Sequence, residues 1–126
     1  EFVLHIVSED LVKPMNQTSA EYPHGMDEFE FAGLVATRSV RVAPPRVADA
    51  RIAFECRVEQ IVPVGGSTGG AVVIGRVLLA HVADEVWDNG YIVLDALKPV
   101  ARLAGSGYAR VTDTFDLPRP VYEPVE

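Results

Sequence analysis

The sequence predicts a mainly β domain with a few short helices, built as a small barrel that carries the helices on its outside. Three observations lead there. Residues Arg51 to Val62 alternate strictly between apolar and charged side chains, the period of a half-buried strand. Residues Ala71 to Val82 are apolar on both parities, the pattern of a strand covered on two faces. Turn chemistry then recurs at short intervals, in GGSTGG, WDNGY and AGSG, as it does in a run of antiparallel strands. With 126 residues, 48% hydrophobic and 23% charged, the chain is the size of one globular domain.

The opening EFVLHIVSED reads as a strand from Phe2 to Val7. Ser8 can cap a short helix with Glu9 and Asp10 at its positive end, and Leu11, Val12 and Met15 form the apolar stripe. Pro14 is expected to end or kink it. Asp27, with Glu30 three residues on, starts a second helix that faces Phe29 and Ala32 inward and stops at Gly33. The acidic cluster Asp27-Glu28-Glu30 reads as favourable charge on that helix start rather than a metal or acid–base set. A brief strand near 35–40 leads to the stiff Pro44-Pro45 turn.

In the strand from Arg51 to Val62, the residues Ile52, Phe54, Cys56, Val58 and Val62 form the buried face, and Arg51, Glu55, Arg57 and Glu59 the wet one. Cys56 is therefore a small core residue rather than a nucleophile. GGSTGG is a hairpin loop: no Lys-Ser/Thr follows it, and no helix start is at hand to hold a phosphate. His81 closes the next strand, and Asn89-Gly90 turns a further hairpin. A short helix near 95–98 stops at Pro99, and a strand from Val100 to Leu103 meets AGSG before Tyr108-Ala109-Arg110. The last ten residues hold three prolines and are expected to lie extended on the surface.

Composition removes several function classes. A net charge of −7 argues against a nucleic-acid partner. Nine of the eleven basic residues are Arg, five of them between Arg38 and Arg57, a composition suited to phosphate or carboxylate. One cysteine allows no intrachain disulfide and fits the cytoplasm. No apolar run approaches the roughly 18 residues of a membrane span. His5, His24 and His81 have no partner at metal spacing, and no GxSxG occurs.

Five segments, in order, resemble the flavin reductase-like family, the FMN-binding split β-barrels. They are EFVLHIVSED, MNQTSAEYPHGMDEFEFAGL, PRVADARIAFECRVEQIV, IGRVLLAHV and RLAGSGYARVTDTFDLPRP, together reaching from Glu1 to about Pro120. His5 stands where that family often has Asn, and Ala104-Gly105 where it has Gly-Gly. The resemblance implies a homodimer that holds FMN in a groove between subunits and takes hydride from NAD(P)H. It also implies that residues 1–126 are the C-terminal portion of a single FMN-binding domain, a split barrel incomplete at the N-terminus of this chain. A companion segment or an obligate oligomer would then cover the open sheet edge.

On the same resemblance, four residues become candidates. His81 would contact nicotinamide or flavin in the catalytic role, or else be a satisfied strand-end residue. Asn16 would hydrogen-bond a flavin edge, or else cap its helix. Arg102 would meet a phosphate of FMN or NAD(P)H, or else form a surface ion pair. Tyr108 would stack on or hydrogen-bond the cofactor, or else be a core aromatic. The second reading is a noncatalytic barrel that serves as a dimerisation or binding module without a complete flavin site.

Overall fold

The computed structural model describes residues 1–122. Its frame is a three-stranded antiparallel sheet in the order β1-β4-β5, where β1 is Phe2–His5, β4 is Ile52–Pro63 and β5 is Ala71–Val82. Three two-stranded hairpins surround it: β2 (Ala36–Thr37) with β3 (Arg46–Val47), β6 (Trp87–Asp88) with β7 (Tyr91–Ile92), and β8 (Val100–Arg102) with β9 (Tyr108–Arg110). The helices are short: α1 (Val12–Thr18) after a 3-10 turn at Glu9–Leu11, α2 (Glu28–Ala32) and α3 (Leu94–Leu97). The chain is thus mainly β with a few short helices, as the sequence indicates.

Local chemistry accounts for most boundaries. The Asp27 carboxylate accepts from the Phe29 amide at 2.9 Å, and Gly33 ends α2 in the left-handed region at φ 65°. Asn89 and Gly90, at φ 44° and 91°, turn the β6–β7 hairpin. The Gly-rich loop joins β4 to β5 as expected, and Ala71–Val82 is observed with the predicted ends. Pro14 neither ends nor kinks the helix. It is the third residue of α1, where the missing amide has no intrahelical acceptor to lose. The strand expected near 35–40 shrinks to two residues.

Residues 1–122 include only part of the terminal ten, and Val121 and Tyr122 are exposed there. The rest of that expected extended stretch, 123–126, lies outside the described residues.

The sheet has two covered faces. On one, Ile52, Val86 and Leu97 form the core, with Ile6, Phe54, Val82 and Ile92 packed against them. Each of the three buried side chains contributes roughly 1.5–3 kcal/mol through burial. Cys56 is buried on this face, as the alternation requires. The Phe2 ring lies over Gly75 so closely that a Cβ there would fall 2.5 Å from it. Any side chain at 75 would displace that ring.

The second face corrects the reading of β4. Its charged parity was expected to be wet, yet Ala53 and Glu55 are buried. Residues 38–47 fold over them, anchored by the buried Val42. Register places His5, Ala53 and His81 in one row across the three strands, and Val3, Glu55 and Leu79 in the next. Alternation identifies two faces but cannot say which distant segment will cover the polar one.

A second correction concerns β5. Both of its faces were expected to be buried, but its first half is open in the single chain, with Val72 and Val73 each 51% exposed. Ile61, Ile74 and Val77 are exposed beside them. Beyond the main sheet, β4 and β5 thus continue as a two-stranded apolar arm.

Candidate functional site

Three of the four sequence-predicted residues meet in one cleft. Asn16, Arg102 and Tyr108 line it together with Met15, Ser19 and Ser106, around a volume of about 530 Å³. The hairpin explains the arrangement. Arg102 pairs with Tyr108 across β8–β9, so their side chains share a face, and the guanidinium lies 4.8 Å from the ring centroid. Gly105 allows the tight turn between the strands at φ 62°. The Leu103 amide closes that turn on the Gly107 carbonyl at 3.0 Å.

The hairpin is docked on α1 and the end of β1. The Val100 amide donates to the Val7 carbonyl at 3.0 Å, and the Glu9 amide to the Lys98 carbonyl at 3.0 Å. The Tyr108 hydroxyl contacts Met15 Sδ at 4.0 Å, and Arg110 pairs with Glu9 at 3.2 Å. Asn16 sits near the end of α1, where its backbone carbonyl accepts from the Ser19 hydroxyl and amide at 2.7 and 3.2 Å. The helix end is therefore closed by Ser19, not by the Asn16 side chain. Arg102 donates to the Gly107 carbonyl at 3.4 Å, and among the described residues it makes no ion pair.

His81 lies elsewhere. It is on the covered face of the sheet, outside the lining of that cleft. Its Nε2 is 2.5 Å from Glu55 Oε1, and its side chain is 22% exposed. Glu55 is the residue that sequence reasoning missed. Its carboxylate, 0% exposed, also accepts from the Val40 amide at 2.8 Å and the Arg41 amide at 2.5 Å. Arg46 Nε stands 3.9 Å away. Burial alone would raise the Glu55 carboxyl; the Val40 amide, His81 and the Arg41 amide outweigh it and hold the group down to about 2. The alternation placed this position in water, and the segment PRVADARIAFECRVEQIV contains it without giving it a role.

A second hollow, about 460 Å³ and mainly apolar, lies beside the cleft and shares Val7 and Met15 with it. Phe2, Leu11, Phe29 and Leu34 line it, with His5 as a polar member. His5 Nε2 accepts from the Val47 amide at 3.0 Å. Burial, and behind it the charge of Arg46, holds that imidazole below its ordinary range. Among the described residues, no three His, Cys, Asp or Glu side chains gather as a metal set.

A guanidinium, two hydroxyls, a carboxamide and an aromatic ring around one cleft suit a ligand with an anionic group and a planar ring. No nucleophile is paired with a base there. The fold is a mainly β domain, and this cleft gathers charged, polar and aromatic side chains from α1 and the β8–β9 hairpin. Residues 1–97 match the model of the flavin reductase like domain, and the chain belongs to that family of flavin-related oxidoreductases.

Its relatives are longer. An uncharacterized protein, BH2278, of Halalkalibacterium halodurans is 42% identical over 123 residues, 95% of this chain and 59% of its own length. The crystal structure of nitrilotriacetate monooxygenase component B from Bacillus cereus superposes with a TM-score of 0.86 at 37% identity, over 91% of this chain and 58% of that one. A split-barrel protein of the flavin reductase type from Shewanella frigidimarina gives 0.82 at 25% identity, over 94% and 60%. The chain therefore spans about three fifths of the proteins it matches.

Proposed function

We propose that this chain is the C-terminal portion of an FMN-dependent oxidoreductase of the flavin reductase type, acting in the cytoplasm as a homodimer. The observation that carries the reading is the convergence of Asn16, Arg102 and Tyr108 in one cleft of a chain belonging to this family. Arg102, free of any carboxylate partner among the described residues, offers its guanidinium to a phosphate. The Ser19 and Ser106 hydroxyls and the Asn16 carboxamide offer hydrogen bonds to a ring edge, and Tyr108 offers a face for stacking. Bound FMN would supply the redox chemistry, taking a hydride from NAD(P)H. The protein's part is to bind, orient and exclude water.

His81 keeps the catalytic role in this reading, at the nicotinamide or flavin. Within one chain it stands apart from the cleft, so a second copy must bring the two groups to one ligand. The exposed apolar arm of β4 and β5 supports such a pairing, because a surface of that kind is rarely left in water. The separation of His81 from the cleft equally favours a second reading, a noncatalytic dimerisation or binding module.

Titration with FMN, followed by visible absorbance and by NADH or NADPH consumption, separates the two. The expected result is a yellow protein that oxidises NAD(P)H. Arg102→Ala is expected to weaken FMN binding by about tenfold to a hundredfold, the loss of one charged hydrogen bond. A folded, colourless dimer that cannot be reconstituted assigns the chain to the binding-module reading.

A further inference from the structure

Two histidines stand in one row of the sheet on either side of Ala53, and their partners dictate opposite protonation patterns. Glu55 is an ionised, fully buried carboxylate with the Val40 amide, the Arg41 amide and His81 Nε2 around it. Arg46 from β3 is the further charge that faces it. An ionised carboxylate only accepts, so His81 Nε2 must carry the proton. Neutral His81 then has its lone pair on Nδ1, and among the described residues nothing hydrogen-bonds that atom. At His5 the order is reversed. The Val47 amide donates to Nε2, which must hold the lone pair, so the proton is on Nδ1.

We propose that Glu55 is a positioning residue for His81: it fixes the ring as the Nε2–H tautomer and leaves Nδ1 as an acceptor for an N–H group of a ligand. The same carboxylate ties residues 38–47 to that ring, so the orientation of His81 and the seating of this segment are one device. The ligand group that fits is the imide or carboxamide N–H of a planar heterocycle, the kind that flavin and nicotinamide both carry. This last step rests on the proposed function; the tautomer does not.

Long-range proton–nitrogen correlation on protein labelled with 15N-histidine tests both parts. At pH 8 the expected spectrum shows His81 protonated on Nε2 and His5 on Nδ1. In Glu55→Gln the neutral amide can turn either its oxygen or its nitrogen to the ring, so His81 loses its single tautomer while His5 keeps its own. His81 protonated on Nδ1 in the unaltered protein overturns the proposal, and that spectrum decides even if the variant does not fold. A folded Glu55→Gln that keeps the original His81 pattern overturns it as well. For the ligand step, FMN and then NADH are added to the unaltered protein. A shift of the His81 Nδ1 resonance supports the step. Flavin uptake without that shift refutes it, and failure to bind flavin removes the ligand step along with the proposed function while the tautomer result stands.

Discussion

His5 and Glu55 show how single side chains on a β-sheet can fix a segment that has almost no ladder of its own. Both have a folded-state pKa below the unfolded one, so the sign is the same for each. Between the folded value and 6.5, the unfolded chain binds the proton at His5 and the folded chain does not. The stability from His5 is thus complete above pH 6.5 and is lost as the pH falls below it. For Glu55 the window lies between 4.5 and about 2. Denaturant midpoints are expected to fall in two stages on acidification, the first starting near neutrality. His5→Leu removes the first stage and leaves the Val47 amide without its acceptor, a loss of about 1–3 kcal/mol. Equal pH dependence in His5→Leu and the unaltered protein would contradict this. Of the two groups only His5 was singled out in the sequence, and then only as a departure from a family pattern. Neither acceptor role was legible, because each partner amide lies many residues away.

Among the elements, those set by neighbouring residues were readable and those set by distant ones were not. Asp27 with Gly33, Asn89 with Gly90, and the Gly-rich loop each act within a few residues, and each forms as the sequence indicates. The apolar character of β5 was also correctly read, but its first half finds no cover among the described residues. If a second copy supplies it, charges on the arm will separate the copies without unfolding either. Ile61 and Val73 are directly paired and both exposed. Ile61→Lys with Val73→Lys is therefore expected to shift sedimentation from dimer to monomer and to leave the circular dichroism unchanged. A dimer that persists in the double variant places the contact elsewhere.

At the scale of the whole molecule, the mainly β architecture followed from the order of strands and turns. The convergence of Asn16, Arg102 and Tyr108 did not, because it depends on α1 and the β8–β9 hairpin docking over a sequence separation of more than eighty residues. The division of labour between the sheet faces was equally hidden: one is covered by apolar packing, the other by residues 38–47 hung on Glu1, His5 and Glu55. That suspension has a consequence for exchange with heavy water. Irregular loops usually give up their amide protons quickly. Here the Val40, Arg41 and Val47 protons point at side-chain acceptors on a packed sheet, so they should persist like those of a strand. The neighbouring amide of Arg38, without such an acceptor, should wash out first, and a loop that bleaches uniformly would mean the three hooks are not holding it.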